Sequence, residues 1–217
     1  MNILLVAATE AEIKPFLQHM EADVRLQARI DVCITGVGMV AATYAITKAL
    51  RQHKYDLVLQ AGIAGSFDRK LAIGDMLFVT TEQLGDMGAE DHDKHLDIFG
   101  MGLQDPNKAP FTNQRLSTPI TRIHDHIQLP QVGGITVNMV SGNEQTIARL
   151  TARYGATTES MEGAAMHYVC LMEQVPFAQV RCISNYIEPR NRKAWDIPLA
   201  VGNLNEWLVQ FVRKMVN

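Results

Sequence analysis

Two carboxylates and several small residues meet at the entrance of an apolar segment, in the stretch Glu159-Ser160-Met161-Glu162-Gly163-Ala164-Ala165. The small side chains from Gly163 to Ala165 suit close approach by a ligand, and a carboxylate beside them can accept hydrogen bonds from a vicinal diol. Glu162 also has a purely structural explanation, because a helix macrodipole favours negative charge in the first turn by roughly 0.3–1 kcal/mol. The residue types therefore predict either a sugar site or a helix-stabilising carboxylate.

The helix after this stretch is predicted by apolar residues that recur at helical spacing and should face the core, Met161, Ala165, Tyr168 and Met172. Ser160 or Thr158 is available as the N-cap, which places Glu162 in the first turn. We therefore expect Glu162 at the open end of this helix.

A further carboxylate, Glu12, follows the apolar run Ile3–Ala8, which is typical of a strand buried on both faces. Thr9 and Glu12 fit the S/T-x-x-E capping box, in which the Glu side chain accepts from the backbone N–H of the cap. Pro15 would remove a hydrogen bond from a helix capped at Thr9, so regular helix is expected to begin nearer Glu12. Glu12 would then be free to point into the crevice beyond the strand, where ligands of open α/β sheets bind.

An amide joins these candidate groups, because Asn185 comes directly after the predicted strand Phe177–Ser184. Asn at a strand end is commonly a turn residue. A carboxamide that donates and accepts also matches the N7 and O6 edge of a 6-oxopurine. Glu12, Gly65, Glu162 and Asn185 all follow strands or open helices, and this shared position predicts that they meet in one site.

Two glycine-containing turns follow predicted strands. Gly36-Val37-Gly38 forms G-x-G-x-x-A with Ala41, but Asp56 opens the next strand instead of closing it. A nicotinamide cofactor, or any other, is therefore not expected, and these glycines are interpreted as close packing. Gly62–Ser66 is predicted as a small-residue loop after the strand Tyr55–Ala61. The N–H groups of this loop could approach a sugar or an anion, or the loop could be a plain turn.

Region 82–116 is polar and irregular, and its length predicts a functional loop or lid. The cluster Asp86–Asp93 contains metal-ligand residue types without regular spacing, so a solvated loop is expected there and no metal site. Cysteines lie in apolar segments without a CxxC pair, which predicts buried reduced thiols at Cys33, Cys170 and Cys182.

Composition indicates a single globular domain over residues 1–217, since 47% of the residues are hydrophobic and no Pro/Gly/Ser-rich linker interrupts the chain. Lys and Arg total 20 against 23 Asp and Glu, with no basic run. This charge balance favours a small-molecule partner over nucleic acid or an acidic membrane. The N-terminus lacks a basic n-region and no stretch approaches the roughly 20 apolar residues of a membrane span, so a cytoplasmic location is expected.

Apolar strands alternate with helices along the chain, as shown by the predicted strands Met76–Thr80 and Gly134–Ser141 and by the closing helix Pro198–Val216. This order predicts an α/β fold. Its centre would be a twisted, mixed but largely parallel sheet flanked by helices on both sides.

Three motifs resemble the nucleoside phosphorylase and nucleosidase superfamily: Gly62–Gly65, Ser160–Gly163 and Ile183-Ser184-Asn185. The similarity spans nearly the whole chain and implies one nucleoside phosphorylase-like catalytic domain, in a homodimer or larger homo-oligomer. Within the superfamily, Asp86–Glu90 and Ile183–Asn191 are most similar to the branch that hydrolyses futalosine. That similarity implies release of hypoxanthine, in the futalosine route to menaquinone.

The resemblance also implies a role for each matching residue. Glu12 would hold the attacking water, Glu162 would bind ribose hydroxyls, Met161 would pack against the sugar, and Asn185 would contact the purine. Adenine nucleosidases carry Asp at the position of Asn185 and 6-oxopurine phosphorylases carry Asn, so Asn185 favours a hypoxanthine leaving group. Ser160 stands where adenine nucleosidases have another Glu, and that extra contact is not carried over. Further substrate contacts are expected from Ile63, Ala64, Gly65, Ser160 and Ser184.

Water is the predicted nucleophile. Phosphorylases of the superfamily bring an arginine and a serine to the small-residue loop, where this chain has Gln60, Ala61 and Ile63. Without a cation or hydroxyl aimed at an anion, phosphate binding is not expected there. Three alternatives stay open: another purine nucleosidase, of the methylthioadenosine/adenosylhomocysteine or inosine type, a phosphorylase, and a non-catalytic nucleoside-binding domain whose glutamates only cap helices.

Overall fold

A computed structural model describes residues 1–92 and 94–216. Two short 3-10 helices, Arg122–His126 and Arg192–Ala194, supplement the main elements. These follow the chain as β1 (Ile3–Ala7), α1 (Glu10–Glu21), α2 (Val24–Gln27), β2 (Ile30–Ile34), α3 (Met39–Gln52), β3 (Leu57–Ser66), β4 (Met76–Leu84), β5 (Gly88–Asp91), β6 (Lys94–Asp97), β7 (Leu116–Ser117), β8 (Gln131–Thr136), α4 (Glu144–Tyr154), β9 (Thr158–Ser160), α5 (Gly163–Glu173), β10 (Phe177–Tyr186) and α6 (Ile197–Val216).

Eight strands form one mixed sheet in the order β10-β4-β8-β9-β3-β1-β2, with β7 paired to β4. Strand β10 also pairs with β3, in parallel, so β3, β10, β4, β8 and β9 close into a ring. Strands β5 and β6 form a separate antiparallel hairpin. The predicted mixed sheet with flanking helices is present, whereas the partial closure was not predicted.

The apolar run of β1 is buried on both sides, as predicted, because helices cover both faces of the sheet. Ile3, Leu5 and Ala7 belong to a core with α1 and α6, while Leu4 and Val6 belong to a core with α3 and α5. Alternate residues of a strand point to opposite faces, so a strand between two helical layers must be apolar throughout.

The prediction of a small-residue loop at Gly62–Ser66 is wrong. Strand β3 continues to Ser66, because both of its edges are paired at this end. Residues 181–186 of β10 run parallel to it on one side, and β9 is antiparallel to it on the other. The small residues of this segment therefore lie in a strand and do not form a turn.

The start of α1 is also corrected, since the helix begins at Glu10 and continues through Pro15. The buried side chain of Asn205 contacts the helix backbone beside the proline. Its Oδ1 accepts from the Phe16 N–H at 2.9 Å, and its Nδ2 donates to the Glu12 carbonyl at 2.8 Å. The Asn205 amide therefore bridges these two backbone groups, next to the bond that Pro15 cannot make.

Helix α5 begins later than expected, because β9 occupies the residues predicted to cap it, and Glu162 itself is the N-cap. The prediction that Tyr168 and Met172 face the core is wrong: they are 40% and 55% exposed. Other residues of α5 fill the core instead, among them Met166, Val169 and Cys170.

Region 82–116 is more ordered than predicted, since it contains the end of β4, the hairpin β5–β6 and the start of β7. Asp86 accepts hydrogen bonds from the N–H groups of Asn138 and Met139, and Asp93 lies outside the described residues.

All three cysteines are free thiols; Cys170 and Cys182 are buried and Cys33 is half-buried. Within the described ranges, no helix is long and apolar enough to cross a bilayer.

Candidate active site

One cavity of about 320 Å³ lies where the ends of β3 and β10 meet the β9–α5 junction and the start of α1. Every residue that the sequence predicted for the site lines it: Glu12, Ile63, Ala64, Gly65, Ser160, Met161, Glu162, Ser184 and Asn185. These residues are far apart in the sequence, but the sheet brings them together because β3 pairs with both β9 and β10.

Glu12 forms the capping box and also lines the cavity, because its two carboxylate oxygens have different partners. Oε2 accepts from the N–H and the hydroxyl of Thr9, each at 3.0 Å, as a capping carboxylate does. Oε1 accepts from the Ile63 N–H at 3.2 Å and lies on the cavity side. The helix cap thus fixes the orientation of an acid that a ligand can reach.

Glu162 is 5% exposed and lies between a backbone donor and a cation. Its Oε1 accepts from the Gly38 N–H at 2.9 Å, and its Oε2 is 3.9 Å from Nη2 of Arg181. Burial raises the pKa of Glu162, and the charge of Arg181 opposes that rise. Gly38 has φ +95°, a conformation that favours glycine, so the G-x-G-x-x-A turn presents an N–H to this carboxylate.

Arg181 was missed by the sequence interpretation, since it lies in an apolar strand and gives no motif. Its side chain is 2% exposed, and Nη1 points to the Ile63 carbonyl at 3.4 Å. A Cβ at Gly62 would lie 2.5 Å from this nitrogen and 2.9 Å from Oε1 of Glu12. Gly62 therefore lets a buried guanidinium lie beside both predicted catalytic carboxylates.

A second buried carboxylate, Glu82, lies behind this cation. It accepts from Gln179 Nε2 and from the Thr136 hydroxyl, both at 2.9 Å. Burial raises the pKa of Glu82 to about 7. Gly163 leaves the room for this carboxylate, because a Cβ there would overlap its Oε1.

Asn185 is part of strand β10 and not of a following turn. A register shift between Ile183 and Asn185 places Asn185 opposite Gly65 of β3. Its Oδ1 accepts from the Ser184 hydroxyl at 2.8 Å, and its Nδ2 donates to the Tyr186 carbonyl at 3.0 Å. One amide N–H is left for a ligand in the cavity.

Glu159 also lines the cavity, and the sequence interpretation gave it no role. It is 6% exposed, and burial raises its pKa. Its Oε1 accepts from the Ser141 N–H at 2.9 Å and its Oε2 from the Ser141 hydroxyl at 2.5 Å. The sequence contained a signal for Glu159, since this residue begins the stretch Glu159–Ala165 that predicted the site.

Tyr186, Glu188, Arg190 and Trp195 line the cavity as well, and the Arg190 guanidinium lies 5.5 Å from the Trp195 ring. None of the described residues of 82–116 lines it. Among the same described residues, no group of three His, Cys, Asp or Glu side chains is placed to hold a metal. The site offers carboxylates, an amide and apolar walls, which suit a polar, partly aromatic ligand such as a nucleoside.

The chain belongs to the phosphorylase superfamily, whose family model matches residues 2–214. Among curated relatives, the futalosine hydrolase of Acidothermus cellulolyticus is 34% identical over 187 residues, covering 84% of this chain and 75% of that protein.

Solved structures agree with this fold. The futalosine hydrolase of Helicobacter pylori has a TM-score of 0.79 at 20% identity, covering 99% of this chain and 98% of the other. The 5'-methylthioadenosine/S-adenosylhomocysteine nucleosidase of Neisseria meningitidis, in complex with methylthio-immucillin-A, has a TM-score of 0.80 at 18% identity, covering 98% and 99%.

Proposed function

We propose that this chain hydrolyses the N-glycosidic bond of futalosine and releases hypoxanthine and dehypoxanthine futalosine, a step of menaquinone biosynthesis. The observation that carries the proposal is the convergence of Glu12, Glu162 and Asn185 on one cavity. The 34% identity to a futalosine hydrolase supports the choice of substrate.

The chemistry follows from the bond. As C1'–N9 breaks, its electron pair goes to the purine and positive charge develops on the sugar. Carboxylates near the sugar and a hydrogen-bond donor near the purine then stabilise the transition state more than the ground state. Glu12 would orient the water that attacks C1', Glu162 would bind the ribose hydroxyls, and the free amide N–H of Asn185 would meet the N7 and O6 edge.

Arg181 bears on the choice of nucleophile, because the sequence suggested no cation at the small-residue strand. A guanidinium does lie there, but Glu162 neutralises it and the Glu12 carboxylate is its neighbour. A phosphate ion would meet two acidic side chains, whereas a water molecule can donate to them. The arrangement therefore favours hydrolysis.

Incubation with futalosine, inosine and methylthioadenosine, each with and without phosphate, tests the proposal. We expect hypoxanthine from futalosine at a rate that phosphate does not change. Adenine from methylthioadenosine alone would favour the other nucleosidase type, and phosphate dependence would favour a phosphorylase. Saturable binding without base release would make the chain a nucleoside-binding domain.

A homodimer is proposed through the outer faces of α3 and α5. Val40, Tyr44 and Met172 are 84%, 70% and 55% exposed there, and they border an apolar groove of about 1060 Å³. Part of region 82–116, including Pro110 and Phe111, borders the same groove. Because helix α3 starts just after Val37, which lines the cavity, a second copy would lie beside the site. Sedimentation of wild type and Tyr44→Asp should give a dimer and a monomer; a wild-type monomer would refute this.

A further inference from the structure

A cluster of fully buried polar side chains lies behind Glu162. It consists of Glu82, Thr136, Gln179 and His167, all of which are 0% exposed. The described lining of the cavity does not include them, so none of them is placed to touch a ligand there. A polar group that lacks a partner at this depth destabilises the fold, and the hydrogen bonds of the cluster should therefore all be made.

Glu82 is linked to the start of helix α5 through Thr136. The Thr136 hydroxyl donates to Oε2 of Glu82 at 2.9 Å and accepts from the Ala164 N–H at 2.7 Å. Ala164 is the second residue of α5, and Glu162 is the N-cap of that helix. The position of Glu162 thus depends on hydrogen bonds that begin at Glu82.

Two atoms of the cluster have no hydrogen-bond partner among the described residues, Oε1 of Gln179 and Nε2 of His167. Nδ1 of His167 donates to the Leu116 carbonyl at 3.0 Å, so Nε2 of the neutral ring is an acceptor. Burial lowers the pKa of His167 to about 4, although the Leu116 carbonyl and the Gln179 side chain beside the ring oppose this shift. The ring is therefore neutral near neutral pH, and both unpartnered atoms are acceptors.

A proton on Glu82 gives both atoms a partner. When the Gln179 carboxamide is turned by 180°, its oxygen accepts from the protonated Glu82 carboxyl and its nitrogen donates to His167. Burial raises the pKa of Glu82 to about 7, which agrees with a proton at this position.

The charges around Glu82 favour the same neutral form. Arg181 on β10 attracts both Glu82 and Glu162, and these two acids repel each other. Glu12 on α1 is a third acid beside this guanidinium, while the neutral His167 on α5 adds no positive charge. An ionised Glu82 would therefore compete with Glu162 for one cation and raise the pKa of Glu162 further.

We propose that Glu82 is a positioning residue of the reaction, which acts as a neutral acid, holds the start of α5 and leaves the charge of Arg181 to Glu162. The role rests on the proposed function, in which Glu162 binds the ribose hydroxyls. It predicts that hydrolysis needs the proton on Glu82 and weakens when that proton is lost.

The ratio of kcat for futalosine at about pH 6 to that at about pH 8 tests this role. With a pKa of about 7, the neutral fraction of Glu82 falls roughly tenfold over this interval, and kcat of wild type should fall with it. In Glu82→Gln the side chain is neutral at both pH values, so the ratio should be about one. A merely structural contribution of Glu82 would change kcat without changing the ratio.

The matched control is Glu173→Gln, which removes an exposed carboxylate at the other end of α5 and should keep the wild-type ratio. Carbon-13 NMR of the glutamate carboxyls adds a test without turnover. One resonance should titrate near pH 7 in wild type and be missing in Glu82→Gln. An equal ratio in wild type and Glu82→Gln, or a Glu82 carboxyl that titrates near its ordinary pKa of 4.5, would overturn the proposal.

If Glu82→Gln does not fold, Thr136→Val tests the link to α5, because valine keeps the shape and removes the hydroxyl. Its kcat should fall by roughly tenfold through a displaced Glu162, and its pH ratio should stay that of wild type. An unchanged kcat in Thr136→Val would overturn the proposal too. Failure of wild type to cleave futalosine would count against the proposed function, while the NMR titration would still decide whether Glu82 is the neutral acid.

Discussion

Substitution of Gly62 by alanine gives a direct test of the buried guanidinium beside Glu12 and Glu162, the two acids proposed to be catalytic. The new Cβ would lie 2.5 Å from Nη1 of Arg181 and 2.9 Å from Oε1 of Glu12, whereas ordinary contacts begin at 3.4 Å. The guanidinium must therefore retreat by about 0.9 Å and the carboxylate by about 0.5 Å. Arg181 is 2% exposed, so it can move only by disturbing packed neighbours.

A displacement of about 1 Å in an active site can lower the rate by roughly 100-fold. Overpacking in a core costs about 1–3 kcal/mol, which leaves most protein molecules folded. We therefore expect kcat for hypoxanthine release from futalosine to fall by roughly 100-fold in Gly62→Ala, with a smaller change in KM. The assay follows hypoxanthine by chromatography, with the thermal midpoint measured in parallel.

Gly202→Ala is the matched control, because no atom lies within 4 Å of a Cβ at that position of α6. It should keep the wild-type kcat and raise the stability slightly, since alanine is the better helix former. A Gly62→Ala protein with wild-type kcat would refute the reasoning, because the two charged groups would then not need their present positions.

Four further substitutions probe the site and the core beneath it. Glu12→Gln and Glu162→Ala should each lower turnover by roughly 100-fold or more, because such interactions are worth on the order of 3 kcal/mol in the transition state; near-normal rates would remove these residues from the mechanism. Asn185→Asp should shift the relative rates from hypoxanthine towards adenine nucleosides, since a protonated carboxyl complements adenine N7, and unchanged relative rates would argue against that contact. Burial raises the pKa of Glu82 from 4.5 to about 7, so the folded state holds a proton that the unfolded state releases. The free energy of unfolding should therefore fall by about 3 kcal/mol as the pH rises through that interval. Urea unfolding of Glu82→Gln at pH 4 and pH 8 should show this dependence largely removed; an undiminished dependence would assign it to other groups.

Much of the fold could be predicted because many of its strands and helices correspond to local patterns of apolar residues in the sequence. Ile3–Ala7 is a short apolar run, and Phe177–Ser184 is another, so both were recognisable as buried strands. Glu12, Glu162 and Asn185 could be grouped in advance because each comes at the end of a strand or the start of a helix. Their catalytic roles stay predictions.

What could not be predicted depends on pairing between distant segments. Arg181 lies inside an apolar strand, and its partner, Glu162, comes from a distant segment. The pair is therefore seen only in the folded structure. Gly38 was predicted only to allow close packing, whereas its N–H donates a hydrogen bond to the Glu162 carboxylate. The continuation of β3 through Gly62–Ser66 depends on two neighbouring strands, which no local propensity encodes.

The register shift before Asn185 has a consequence for the place of its side chain. The extra residue, Ser184, sets Asn185 opposite Gly65, whereas an uninterrupted register after Ile183 would set it opposite Ser66. The residue proposed to meet the nucleobase therefore lies beside a glycine because of one inserted residue. Loss of that residue would turn the later side chains of the strand to the other face relative to β3.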